Sequence, residues 1–199
     1  MKKTILTLAL LAGLTSAAQA QYRGRGGNVS LGLKAGASLT DFVGPSSGSY
    51  NSRFGFHAGI FANIGLTRLV AFQPELLYSQ KGAQGNSDAK YRFHYVDVPL
   101  VFHINTDGFF FEGGPQIGFL AAAQYQVGDR SVAVTDGYKM VDFGYVAGLG
   151  YQLKHGLGAG LRYNGEFTNF PNPELIGNVK VQAQERNSAF QLYATYSFN

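Results

Sequence analysis

The chain has 199 residues, a formal net charge of +4, no cysteine and only 14% charged residues, with 27 glycines and an aromatic content made entirely of Phe and Tyr. The absence of cysteine excludes a disulfide scaffold, and the small net charge gives no footprint for nucleic acid. Charge well below the usual quarter of residues argues against an ordinary soluble domain.

Residues 1–20 read MKKTILTLALLAGLTSAAQA. Lys2 and Lys3 form a basic start, Ile5 to Leu14 an apolar core, and Ala18-Gln19-Ala20 an A-x-A cleavage site, so the segment reads as an export signal cut before Gln21. The apolar run is about half of the ~20 residues that a spanning helix needs. Cleavage removes Lys2 and Lys3 and so halves the net charge. YRGRGG (22–27) falls in an expected periplasmic tail, 21–28, and no later apolar run reaches helical spanning length.

From Val29 the pattern has a period of two, which no helix shows. VSLGLKAGASL (29–39) sets Val29, Leu31, Leu33, Ala35, Ala37 and Leu39 against Ser30, Gly32, Lys34, Gly36 and Ser38. FGFHAGIFANI (54–64) and LVAFQPELLYSQKG (69–82) repeat it, the latter with Phe72, Pro74, Leu76 and Tyr78 opposite Gln73, Glu75, Ser79 and Lys81. YRFHYVDVPLVFHI (91–104), FFFEGGPQIGFLA (109–121), VDFGYVAGLGYQL (141–153), LGAGLRYNGE (157–166) and FQLYATYSF (190–198) complete eight strands. GLTR (65–68), NTDG (105–108) and KHG (154–156) are tight turns, whereas 40–52, 82–90, 123–138 and 168–188 are long and polar.

An even strand count with short turns at one end and long loops at the other is the pattern of an outer-membrane barrel. A soluble lipocalin-like barrel has similar length, but it puts apolar groups inside and polar groups outside. Eight strands enclose little volume, so Gly and a few polar groups belong inside here and Leu, Val, Ile, Phe and Tyr belong against lipid. The expected fold is an all-β, eight-stranded, antiparallel, up-and-down transmembrane barrel over 29–199, in the cell outer membrane, with both termini periplasmic. Tyr78, Tyr151 and Tyr163, near strand ends on the apolar face, are candidate interfacial girdle residues.

Counted from the short turns, Lys34, His57, Glu75, Asp97, Glu112 and Arg162 fall in one band of the inward face. The expected arrangement is a lumen charge network, since a charge kept from lipid is costly unless paired. It would act as a plug; a selectivity constriction in a narrow pore is the alternative. Pro74, Pro99 and Pro115 fall beside it on three successive strands, as a proline belt. Proline cannot donate to a ladder, so a bulge or ladder break is expected at Pro74.

Four segments carry a family resemblance: QPELLYSQKG (73–82), VDVPL (96–100), GGPQIG (113–118) and LRYN (161–164). They resemble the porin-family, or PorT-like, outer-membrane barrels common in Bacteroidota, over roughly 29–199. The resemblance implies an integral outer-membrane barrel in a family whose members mostly lack an assigned activity. The chain departs from the common terminal aromatic of such barrels, because Phe198 is followed by Asn199.

No catalytic constellation is expected. His94, Ser188, Asp142 and Glu185 lie towards the long-loop side without spacing that ties nucleophile, base and acid together. His57, His94, His103 and His155 lack ligand spacing, so no metal site is assigned. GLGAG (156–160) opens no helix and is not a phosphate loop, and no cofactor is implied. The expected partners are outer-membrane lipid and, through the long loops, a protein; no nucleic acid is expected. The role read from sequence is a structural or interaction platform with a plugged lumen, with a narrow passive pore as alternative and an outer-membrane enzyme further behind.

Overall fold

The computed structural model describes residues 29–45, 48, 50–85, 89–128, 130–171, 174–176, 179–181 and 184–198. The export segment 1–20, the tail 21–28 and Asn199 lie outside the described residues. The strands are β1 (Val29–Val43), β2 (Tyr50–Gly65), β3 (Val70–Lys81), β4 (Ala83–Gly85), β5 (Ala89–Thr106), β6 (Phe109–Val127), β7 (Arg130–Ala133), β8 (Val141–Gln152), β9 (Leu157–Glu166), β10 (Glu174–Ile176), β11 (Val179–Val181) and β12 (Arg186–Phe198).

Eight of them are long and pair antiparallel in sequence order, β1–β2–β3–β5–β6–β8–β9–β12. β12 then pairs back onto β1, from Leu31 opposite Phe198 to Val43 opposite Arg186, and closes the barrel. Closure leaves no edge whose backbone groups would be stranded in hydrocarbon. The remaining strands are short accessories: β4 pairs β2 and β5, β7 pairs β6, and β10 pairs β11 in a separate two-stranded sheet.

The long strands run further towards the loop end than the alternation suggested. β1 reaches Val43, β2 starts at Tyr50, β5 at Ala89 and β12 at Arg186, and β6 continues to Val127. Above the lipid belt neither face has to be uniformly apolar, so the ladder continues after the period-two signal has faded.

Inside and outside follow the expected parity. Along β8 the burial alternates strictly from Val141 to Ala147, with Asp142 buried and Phe143 exposed. The outward set is large and apolar: Phe54, Phe109, Phe111, Leu161, Phe190 and Leu192 all expose more than half their surface. On β5 this set runs from Val96 to Ile104, roughly 26 Å at ~3.3 Å per residue, which suits a tilted strand crossing an apolar band ~25 Å tall. Tyr151 packs on Phe109 at the short-turn end, while Tyr163 packs on Phe190 and Tyr78 on Phe56 towards the other.

Two features make the wall possible. Asp107 (φ 45) and Gly108 (φ 91) form the two-residue link between β5 and β6, both in the left-handed region that a hairpin of matching twist requires. A Cβ on lumen-facing Gly32 would lie 2.2 Å from the Phe61 ring, and one on Gly160 would lie 2.5 Å from the Tyr193 ring. The tips of these rings therefore lie over bare backbone of the neighbouring strand.

The prolines cause no bulge. Pro74 faces Leu100 and Leu77 faces Asp97 in one register, with the pairing lapsing over the two residues between. It lapses likewise beside Pro74 on the β2 side, between Phe61–Glu75 and Ile64–Phe72. On the β5–β6 side it lapses between Pro99–Gln116 and Phe102–Gly113, the stretch that holds Pro115. Each proline removes a bond without adding a residue, so the ladder resumes in phase. Pro74 and Pro115 flank Leu100, and Pro99 is its chain neighbour, so the three share one height. Pro99 is buried inside, Pro74 half-buried and Pro115 exposed outside. The register shift of β5 lies elsewhere, between His94 and Tyr95.

Gly108→Val should strain the β5–β6 turn and press on the Tyr151 ring, which lies 2.8 Å from the Cβ position. A loss of about 1–2 kcal/mol is expected in urea unfolding of the folded barrel in micelles.

Candidate functional site

The lumen is filled in layers, and its centre is Arg162 on β9. Its Nη1 donates to Glu75 Oε2 at 2.8 Å and its Nη2 to Glu75 Oε1 at 2.9 Å. Its Nε donates to Glu112 Oε1 at 2.8 Å and its Nη2 also to Glu112 Oε2 at 2.6 Å. One guanidinium thus grips two carboxylates with paired bonds, a geometry that Lys could not supply.

Lys34 Nζ completes the cluster, donating to Glu75 Oε1 at 2.7 Å and lying 4.0 Å from Glu112 Oε2. Two cations meet two carboxylates, so the cluster is formally neutral. Tyr193 spans it: its hydroxyl donates to Glu112 Oε1 at 2.7 Å, and its ring lies under Lys34 Nζ at 4.1 Å. Gln73 Nε2 donates to Glu75 Oε1 at 2.8 Å, and His103, stacked on Phe110, places Nε2 3.3 Å from Glu112 Oε2. The side chains of Lys34, Glu75, Glu112 and Arg162 are at most 1% exposed.

The structure brings together Lys34, Glu75, Glu112 and Arg162 but places the other two candidates elsewhere. His57 lies above them, bonded through Nδ1 to Ser38 Oγ at 2.9 Å with its ring edge-on to Tyr193. Asp97 belongs to a second cluster nearer the long-loop end. There Lys81 Nζ donates to Asp97 Oδ1 at 3.1 Å and to Glu166 Oε1 at 2.7 Å, over the Tyr95 ring at 4.5 Å. Asn187 Nδ2 donates to Glu166 Oε2 at 3.0 Å, and Asp142 is fully buried beside this group. Spacing alone does not single out Lys81, Glu166 and Asn187, although Lys81 has the same parity as Glu75 on β3.

Above the second cluster the lumen becomes aromatic. Phe42, Phe93, Tyr95, Leu120 and Phe170 are buried together, with Tyr50, Tyr91 and Tyr138 packed against them. Phe170 belongs to the segment expected as a free surface loop, yet it is 2% exposed and inserts between Phe42 (4.7 Å) and Phe93 (5.4 Å). Its backbone is held from both sides: its N–H donates to Glu185 O, and its carbonyl accepts from Lys139 N–H. The opposite end is open, with a polar cavity of about 290 Å³ lined by Asn63, Gln73, His103, Gln152, Thr195 and others. It reaches His103 and Tyr193, the underside of the Arg162 cluster.

The catalytic candidates do not converge. His94 bonds the Tyr78 hydroxyl on the outer wall, Ser188 Oγ donates to the Asp41 carbonyl, and Asp142 is inside. Among the described residues no group of three or more His, Cys, Asp or Glu could hold a metal.

A closed eight-stranded barrel with an apolar outside and a polar, charge-paired inside is an outer-membrane barrel by class, and its place is the outer membrane. The comparisons agree: residues 17–172 match the family described as outer membrane protein beta-barrel domain, and the chain belongs to that family. Among solved structures it is similar to Neisserial surface protein A, with 16% identity and a TM-score of 0.55, covering 86% of this chain and 99% of that one. It is also similar to Ail, the attachment invasion locus protein of Yersinia pestis, with 12% identity and a TM-score of 0.50, covering 87% and 100%. Both likenesses concern the fold. No curated protein matches the sequence.

Replacing Arg162 with Met leaves Glu75 and Glu112 facing each other with Lys34 alone. The barrel should lose about 3–5 kcal/mol, read as a lower urea midpoint, because a broken buried pair strands a charge. Adding Glu112→Gln should recover much of that loss.

The aromatic cap offers a second readout. Burial, with Tyr91, Tyr50 and Glu185 nearby, pushes the Tyr138 hydroxyl up to about 12. Its unfolded value is about 10, so between pH 10 and 12 the unfolded chain loses this proton while the folded one keeps it. Stability should therefore be flat below pH 10 in this respect and fall from 10 to 12. Phe170→Ala should open the cap and bring the Tyr138 titration back towards 10 in ultraviolet absorbance.

Proposed function

We propose that the protein is a sealed outer-membrane barrel that serves as a structural element and interaction platform rather than as a pore or an enzyme. The observation that carries this reading is the Arg162–Glu75–Glu112–Lys34 cluster, which occupies the middle of the lumen with its side chains at most 1% exposed. The Phe42–Phe93–Phe170 cap lies across the lumen a second time. The cavity at the short-turn end favours no through-passage, since it stops against His103 and Tyr193.

In the orientation usual for this class, the short turns face the periplasm and the long loops the cell exterior. The loop segments then offer the binding surface, including the stretch around β10 and β11. Residues 1–20 supply the export signal under this reading, and the QPELLYSQKG segment supports placing the chain among the PorT-like barrels of Bacteroidota.

Single-channel recording of the refolded protein in a planar bilayer tests the sealed lumen. No unitary openings are expected for the wild type. Stable openings whose size changes on Glu75→Gln would replace this reading with the narrow pore.

A further inference from the structure

In the lumen Lys34, Glu75, Glu112, Arg162, Lys81, Asp97 and Glu166 form ion pairs, whereas among the described residues the basic groups of one stretch of outer wall do not. Just above the apolar belt, the β2–β3–β5–β6 wall carries Arg53, Lys90, Arg92 and His94. Lys90 and Arg92 stand opposite Gln126 and Gln124 on β6, and His94 opposite Gln80 on β3. Arg53 Nη2 donates to Gln80 Oε1 at 3.2 Å, and Arg92 Nη2 makes a long contact of 3.5 Å with Gln126 Oε1. These are neutral partners.

Among the described residues, every salt bridge lies in the lumen and none involves these cations. Arg53 and Arg92 bear on each other as like charges, and both bear on His94 in the same sense. Arg53 and Arg92 are half-buried, and two such guanidinium groups beside one another without an acidic partner repel; an anion at the donors still open to the surroundings offsets that repulsion. Directly below, Phe56, Tyr78 and Val96 present exposed apolar surface at the depth of acyl chains.

We propose that this rim binds a phosphate-bearing lipid of the outer leaflet. Arg53 and Arg92 donate to the phosphate oxygens, and the acyl chains lie over Phe56, Tyr78 and Val96. Guanidinium suits this task because its fork matches phosphate geometry. The assignment rests on the orientation proposed above, with the long-loop end at the outer leaflet, and not on whether the lumen is sealed.

Native mass spectrometry of the micelle-refolded protein tests it, with bis-phosphorylated lipid A, the same lipid dephosphorylated, and inorganic phosphate as probes. Lipid A should be retained at least about tenfold better than its dephosphorylated form, the scale of one charge-assisted contact. Arg53→Gln with Arg92→Gln should erase that preference while the barrel keeps its heat-modifiable gel mobility. Millimolar inorganic phosphate should not displace the lipid; displacement would mark a free-anion site and overturn the lipid assignment. Equal retention of the two lipids by the wild type overturns it as well, without recourse to any variant. Conductance is read separately, so a conducting barrel with intact lipid selectivity would remove only the sealed-lumen reading.

Discussion

Arg162 lies between two carboxylates with its whole side chain buried, and the barrel is built around that constraint. Eight strands leave a lumen that side chains must fill, and any charge placed there has to find its partner within the wall. Four hydrogen bonds from one guanidinium to Glu75 and Glu112 tie β9 to β3 and β6, which are not neighbours in the sheet. Lys34 brings in β1, and Tyr193 brings in β12. The wall yields to make room: a Cβ on Gly148 would lie 2.7 Å from Glu112 Oε1, and one on Gly160 would meet the Tyr193 ring. The glycine content of the sequence is in part a consequence of this crowded polar core.

Parity along a strand carries most of what was readable beforehand. A period of two separates lipid from lumen, and once the faces are assigned, Lys34, Glu75, Glu112 and Arg162 must point inward. Which of them touch is a different matter, since it depends on barrel stagger and on side-chain reach. Asp97 has the right parity and a similar count from its turn, yet it pairs with Lys81 in the upper cluster. The signal for that second cluster was present, because Lys81 and Asp142 are in phase with the lumen faces of β3 and β8. What parity does not supply is the stagger that brings Lys81 of β3 level with Asp97 of β5 and Glu166 of β9.

The cap was less legible still. Phe42 and Phe93 continue the lumen parity of β1 and β5, so large aromatics on an otherwise polar face marked a change of environment near the rim. Phe170 offers no such clue. It follows β9 in a segment with no periodicity, and only the tertiary fold delivers it between those two rings. Proline behaved in the same divided way: the sequence gives the lost donor, but register continuity around Pro74, Pro99 and Pro115 follows from how the neighbouring strands carry on.

The two charge populations of the molecule obey opposite rules. In the central cluster burial goes with pairing, and the cluster is neutral because an unpaired ion there has no other recourse. At the rim, solvent and headgroups are within reach, and like charges can stand together if something mobile completes them. Four basic groups on one wall with only glutamine and the Tyr78 hydroxyl for company therefore mean more than the same groups would on a soluble surface, where water satisfies each separately. Here the apolar belt immediately beneath fixes what approaches that wall: an amphiphile whose head arrives at the height of Arg53 and Arg92.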